Sequence, residues 1–215
     1  MQNLSIHAIR QEYTKSALDE SQVANHPIPQ FIQWFDEALK SEVMEPNAMT
    51  LSTVSSQGLP SSRIVLLKEV DDIGFHFFTN YESRKGQELQ INPHVALLFF
   101  WPELQRQVRI EGSVQKLTPE ASDAYFYSRP KESRLGAIAS PQSQVLPDRQ
   151  FLEARMEDLR QTYADSAFVP RPEHWGGYIA VPHLMEFWQG RSSRLHDRLI
   201  YQWQQDQWIL SRLAP

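Results

Sequence analysis

The chain has 215 residues, a formal net charge of −5 and no cysteine. The acidic balance excludes a general binder of nucleic acid or anionic membranes, so any cationic site must be local. The lack of cysteine excludes disulfides and thiol chemistry and fits a cytoplasmic protein.

A hydrophobic share of 41% can build a substantial core, and the length favours one domain. Met1 to Lys15 lacks a basic start followed by an apolar run, so no signal peptide is read. The longest apolar run, Val95 to Trp101, is too short to cross a bilayer.

Met1 to Asn25 is polar, with Arg10-Gln11-Glu12-Tyr13 as its most notable patch. It reads as a segment that is either mobile or ordered by a ligand. Pro27-Ile28-Pro29 opens a helix on which Phe31, Phe35, Ala38 and Leu39 recur at helical spacing, with Trp34 beside them. These read as core residues. Ala48 to Val54 alternates as a strand, and Ser55 to Gly58 turns. Arg63 to Lys68 sets four apolar residues between two cations and reads as a strand buried on both faces. Regular alternation would place Arg63 and Lys68, an odd separation apart, on opposite faces.

Asp71 to Gly74 turns the chain into a strand from Phe75 to Thr79. Ser83 caps a helix that runs to the region of Ile91. Arg84 and Lys85 sit in its first turn, against the helix dipole. An anion bound there would resolve the conflict, and two side chains reaching into water is the alternative. Val95 to Trp101 pairs with Gln105 to Leu117, where Val108, Ile110 and Val114 face in and Gln107, Arg109 and Glu111 face out. Gly112 is expected to mark a bulge.

Thr118-Pro119 starts a helix that carries Tyr125 and ends near Arg129-Pro130. A second short helix carries Ser133 and Gly136, and Pro141-Gln142-Ser143 is a loop. Asp148 caps a longer helix with Leu152, Met156, Leu159 and Tyr163 on one packing face. Strands at Trp175–Val181, Leu184–Trp188, Leu195–Trp203 and Trp208–Leu213 complete the chain. Roughly seven or eight strands in mostly adjacent order, with helices between, fit a mainly β antiparallel barrel with flanking helices.

The stretch Trp188 to Arg198 is the densest in chemistry. Read as extended, Arg194, His196 and Arg198 share one face, with Leu195 and Asp197 on the other. Such a face calls for an anion or a π-system, and a solvated strand with chance charge clustering is the plainer alternative. No dinucleotide fingerprint, P-loop or nucleophile elbow is present. His183 and Glu186 lack the partners of a zinc site, so no metal is expected. What remains is a dispersed set of cations and hydrogen-bonding groups, enough for more than one phosphate monoester.

Several motifs in order carry a resemblance. They are Arg63 to Lys68, Phe78 to Gly86, Arg106-Gln107-Val108, Ser128-Arg129-Pro130, Phe187 to Gly190, Arg194 to Arg198 and the terminal Arg212 to Pro215. With them the chain resembles the pyridoxine/pyridoxamine 5′-phosphate oxidase family from Arg10 onward. The resemblance implies an antiparallel FMN-binding split barrel, a homodimer with FMN at the subunit interface, and residues 26–215 as the single barrel domain. It implies oxidation of pyridoxamine or pyridoxine 5′-phosphate at C4′, with oxygen reduced to hydrogen peroxide.

By position it assigns Arg63, Ile64, Val65, Leu66, Leu67, Lys68, Phe78 and Thr79 to the FMN site. Arg84, Lys85, Gln107, Gln142, Ser143, Trp188 and Arg198 join them. Lys68, Tyr125, Arg129 and Ser133 would hold the substrate phosphate, with Arg194, Leu195 and His196 beside its ring. Arg194 is expected to hold the substrate over the flavin, and His196 to give polar support or handle a proton; pairing with Asp197 is the structural alternative for His196. Residues 1–25 would form a partly mobile segment whose Arg10-Gln11-Glu12-Tyr13 closes over the substrate. Many relatives carry tyrosine where this chain has Phe78, which removes a hydroxyl. Another split-barrel flavin reductase, a non-catalytic FMN binder, or a pyridoxal phosphate carrier without turnover are the competing readings.

Overall fold

The computed structural model describes residues 12–215. Among the described residues, nine strands and five α-helices follow one another in the order α1 (Pro27–Leu39), β1 (Ala48–Val54), β2 (Pro60–Leu66), β3 (Glu69–Val70), β4 (Phe75–Asn80), α2 (Arg84–Ile91) and β5 (His94–Trp101). Then come β6 (Arg106–Lys116), α3 (Pro119–Ser128), α4 (Lys131–Ala139), α5 (Arg149–Thr162), β7 (Trp175–Gln189), β8 (Asp197–Gln204) and β9 (Gln207–Leu213). The strands form one sheet in the order β2-β1-β5-β6-β7-β4-β3, with β8 joining β7 and β9. The pairings of β1 with β2, β4 with β3 and β7, and β8 with β7 and β9 are antiparallel.

Two compact units divide the chain. One comprises Met1–Asn47, Leu98–Ile110 and His183–Pro215, and the other Ala48–Leu97 and Glu111–Pro182. The first is organised around aromatic rings. Phe31 of α1 packs edge-on to Phe99 at 5.0 Å, Trp34 to Phe187 at 5.2 Å, and Phe187 to Tyr201 at 5.6 Å. All of these rings are buried, and each contributes on the order of 1.5–3 kcal/mol by leaving water. The helix starts where its sequence dictates, with Pro27 at its first position and His26 Nδ1 accepting from the Ile28 N–H. Leu39, expected in the core, is 58% exposed; the stripe that packs is Phe31, Trp34 and Ala38.

In the second unit β1 alternates cleanly, burying Met49, Leu51 and Thr53. Phe75 and Phe77 of β4, Leu97 of β5 and Phe126 of α3 are also buried. Ser83 caps α2 by accepting from the Gly86 N–H, Thr118 caps α3, and Asp148 caps α5. Leu152, Met156 and Leu159 of α5, and Tyr163 just past its end, are half-buried, and no residue of that helix is fully covered.

Several expectations are corrected. The apolar run in β2 is not buried on both faces: β2 ends the sheet order, and Ile64 is 63% exposed. The strand stops at Leu66, so the alternation expected to set Arg63 against Lys68 does not reach Lys68. Gly112 marks no bulge, because burial alternates without a break from Arg106 to Val114. A Cβ there would come within 2.2 Å of the Val181 carbonyl oxygen, so glycine serves close backbone approach. The two strands expected between Trp175 and Trp188 are one strand of 15 residues.

The run from Arg194 to Arg198 is not extended throughout. Ser193 and Arg194 are left-handed, with φ of 55° and 60°, and β8 begins only at Asp197. Arg194, His196 and Arg198 therefore do not form one alternating face.

Candidate active site

The second unit holds a cavity of about 950 Å³, within the usual range for small-ligand sites. Arg63, Ile64, Val65 and Leu66 of β2, and Lys68 just beyond it, line one side. Phe78 and Thr79 of β4 and Arg84 and Lys85 of α2 line another. Tyr125 of α3, Arg129, Ser133 of α4, and Gln142 and Ser143 of the following loop complete the expected set. Leu67 departs from it: the side chain is buried and does not line the cavity.

Lys85 is the most telling member. It is 8% exposed, and its Nζ donates to Thr79 Oγ1 at 3.2 Å, Gln142 Oε1 at 3.3 Å and Ser83 Oγ at 3.5 Å. All three partners are neutral. Burial, and then the charge of Arg63, push its pKa down. A buried ammonium without a carboxylate is costly unless an anion reaches it.

Arg63 is fixed by Leu51 O, Thr53 Oγ1, Ser61 Oγ and Glu88. Arg84 donates from Nε to Glu88 Oε1 at 2.9 Å. Glu88 went unnoticed in the sequence, although its position four residues after Arg84 on a helix was a usable signal.

A second cationic group lies against aromatic rings. Phe78 stacks on Tyr125 at 3.9 Å and on Trp175 at 5.5 Å. The Arg129 guanidinium sits over Trp175 at 4.7 Å and donates from Nη2 to Ser133 O at 2.9 Å. Arg129 Nη1 is buried with no hydrogen-bond partner among the described residues. Lys68 Nζ lies 6.0 Å from the Tyr125 ring centre. The local sequence pattern of Trp175 marks a strand start and carries no sign of a stacking partner.

The remaining expected residues belong to the first unit. Arg198 donates to both oxygens of Glu186, which also accepts from Arg109 Nη1 at 3.1 Å. Gln107 is half-buried on β6. Trp188 and His196 have ring centres 4.6 Å apart. His196 Nδ1 accepts from the Arg191 N–H at 3.1 Å, which leaves the ring proton on Nε2. Burial, then the charge of Arg194, lower its pKa. Asp197 is committed elsewhere, to Arg212, Arg191 and the Leu18 N–H. Arg194 and Leu195 are exposed.

Tyr13 sits edge-on to Trp188 at 5.7 Å and near His196 at 5.8 Å. A Cβ at Gly190 would meet its Cγ at 2.7 Å, so glycine makes room for the ring. The Thr14 and Lys15 N–H groups donate to Gln105 Oε1. Glu12 is exposed; Arg10 and Gln11 lie outside the described residues.

A cavity with cationic groups at two places and an aromatic wall, on a largely antiparallel sheet, suits a flat, phosphorylated ligand, and the fold is that of the FMN-binding split barrels. An FMN-binding, pyridoxamine 5′-phosphate oxidase-related protein from Nostoc punctiforme shares the fold, with a TM-score of 0.70 at 17% identity over 88% of this chain and 98% of that one. Residues 35–163 match the pyridoxamine 5′-phosphate oxidase family, and residues 175–215 match the pyridoxine 5′-phosphate oxidase C-terminal dimerisation region. The chain belongs to the pyridoxamine 5′-phosphate oxidase family.

Among its relatives, the pyridoxine/pyridoxamine 5′-phosphate oxidase of a Cyanothece species is 56% identical, covering 99% of each chain. Pyridoxine/pyridoxamine 5′-phosphate oxidase 1 of Ralstonia nicotianae is 57% identical, over 98% of this chain and 99% of that one. The crystal structure of PhzG from Burkholderia lata, in complex with tetrahydrophenazine-1-carboxylic acid, has a TM-score of 0.88 at 33% identity, covering 94% and 99%. No helix among the described residues is long and apolar enough to cross a membrane.

Proposed function

We propose that the chain is an FMN-dependent oxidase that converts pyridoxamine 5′-phosphate and pyridoxine 5′-phosphate to pyridoxal 5′-phosphate. The observation that carries this reading is the buried, carboxylate-free Lys85 in the same cavity as Arg129, whose Nη1 is unpaired. The two give one cavity two places for phosphate. The donors fit FMN: guanidinium and ammonium groups for its phosphate, and amide and hydroxyl groups from Gln142 and Thr79.

FMN held by these residues would supply the redox chemistry, a two-electron acceptor for the C4′ hydride that oxygen reoxidises to hydrogen peroxide, the amine substrate also taking up water and releasing ammonia. The protein supplies position and charge. Arg63, Arg84 and Lys85 hold the flavin phosphate. Ile64, Val65, Leu66, Phe78 and Ser143 line its approach. Lys68, Tyr125, Arg129 and Ser133 hold the substrate phosphate. That phosphate is remote from the reacting carbon, so its binding energy serves orientation.

Gln107, Trp188 and Arg198 complete the flavin set in a homodimer, with FMN at the subunit interface. Arg194, Leu195 and His196 attend the substrate ring, and His196, with its proton on Nε2, offers a donor toward the C4′ substituent. The segment 1–25, through Arg10-Gln11-Glu12-Tyr13, closes over the substrate. Residues 26–215 act as the barrel domain, and a cytoplasmic location fits the cysteine-free composition.

The test is a spectrum of the purified protein. Anaerobic pyridoxamine 5′-phosphate should bleach the flavin bands, and air should restore them with release of peroxide, without NAD(P)H. A requirement for NAD(P)H would favour a split-barrel reductase. A yellow protein that does not bleach would be a flavin binder without this turnover.

A further inference from the structure

Glu88 is a buried carboxylate, 5% exposed, next to the cations assigned to the flavin phosphate. By charge alone it opposes anion binding, and its contacts indicate another task. Oε2 accepts from Thr53 Oγ1 at 2.5 Å, from Ser61 Oγ at 2.9 Å and from Arg63 Nη2 at 3.5 Å. Oε1 accepts from Arg84 Nε at 2.9 Å. The two hydroxyls in turn accept from Arg63, Thr53 from Nη1 at 2.6 Å and Ser61 from Nη2 at 2.6 Å. Each hydroxyl thus accepts a hydrogen bond from the guanidinium and donates one to the carboxylate, so both hydroxyl orientations are fixed.

Arg63 comes from β2 and Arg84 from the start of α2. One carboxylate holds an edge of each. Among the described residues, Arg63 Nε and both Nη groups of Arg84 have no hydrogen-bond acceptor, and both arginines line the cavity. With Glu88 ionised, Arg63, Arg84 and Lys85 together keep a surplus of two positive charges. That matches a phosphate monoester dianion.

We propose that Glu88 is a positioning residue of the flavin phosphate site, holding Arg63 and Arg84 so that their remaining N–H groups meet one phosphate and the phosphorylated flavin is preferred over riboflavin. This rests on the assignment of that phosphate to Arg63, Arg84 and Lys85. Riboflavin, which lacks the phosphate, separates positioning from general structural support.

The experiment measures dissociation constants of FMN and riboflavin for the full-length apoprotein by fluorescence quenching. The parent, Glu88→Gln, Glu88→Asp and Arg63→Ala are compared. Glu88→Gln should weaken FMN by about tenfold or more, the scale of a lost charge-assisted contact, and leave riboflavin unchanged. Glu88→Asp keeps the charge, loses reach and should do the same, which covers a failure of the glutamine variant to fold. Tighter or unchanged FMN binding in the Glu88 variants would overturn the proposal, because charge rather than orientation would then decide. Equal weakening of both flavins, or loss of folding in both Glu88 variants, would also overturn it, leaving Glu88 a structural residue. If Arg63→Ala keeps the parent's FMN preference, the phosphate assignment itself fails; if only the Glu88 variants keep it, the inference fails alone.

Discussion

Glu186 and Arg198 meet diagonally across the β7–β8 pair, with Arg198 Nε on Oε1 at 2.9 Å and Nη2 on Oε2 at 3.1 Å. This fork leaves the guanidinium one orientation. Glu186 is 3% exposed and also serves Arg109, so one carboxylate compensates two cations. Glu186→Gln would take the counter-charge from Arg198 and should cost about 2 kcal/mol of stability, read from urea unfolding. FMN retention should fall as well, since Arg198 loses its fixed orientation. Unchanged unfolding midpoints would show that the pair is idle.

Arg129 is stacked on Trp175 and held by Ser133 O, with Nη1 unpaired. Arg129→Ala should raise the KM for pyridoxamine 5′-phosphate about tenfold or more while FMN stays bound. Kinetics equal to the parent would remove Arg129 from the substrate site.

Arg63 and Lys68 should separate the two ligands. The reason is no longer strand alternation, which ends at Leu66. Arg63 is bound into the Thr53–Ser61–Glu88 network, whereas Lys68 lies near Tyr125. Arg63→Ala should chiefly weaken FMN retention, and Lys68→Ala should chiefly raise the substrate KM on FMN-saturated protein. Loss of the same ligand to the same degree in both variants would contradict two phosphate positions.

Acid stability should report on Glu88. Burial raises its pKa, but hydrogen bonds from Thr53, Arg84 and Ser61 and the charge of Arg84 outweigh that and hold it at about 2, below its ordinary 4.5. A depressed carboxylate contributes stability that is fully present above 4.5 and is lost as pH falls toward 2. The stability gap between the parent and Glu88→Gln should be constant above that window and close within it. A gap that persists unchanged to pH 2 would show that the carboxylate is not held in this way.

Local chemistry was legible where local chemistry decides. β1 was read from Ala48 to Val54 by alternation alone, and the caps Ser83, Thr118 and Asp148 announced their helices. Long-range chemistry was not. The apolar run in β2 looked like a buried strand because apolarity says that a residue leaves water, not what covers it. The left-handed pair Ser193 and Arg194 carries no glycine to signal its backbone, so the motif around His196 was straightened wrongly. Spacing along α2 shows Arg84 beside Glu88, but the partners Thr53, Ser61 and Arg63, like those of Trp175, come from other elements, which spacing along one element cannot show.

The edge strand β2 has a consequence for the protein's supply as well as its turnover. Its Ile64 and Leu66 are exposed and line the cavity. On the proposed site assignment, a flavin would cover them and finish a core that the bare chain leaves open. A ligand bound only to the folded form adds about 2.7 kcal/mol at a hundredfold excess over its Kd. That is a large fraction of the margin by which domains stay folded. Flavin shortage would then thin the population of folded chains before it slowed any one of them, and proteolysis would follow the vitamin's level.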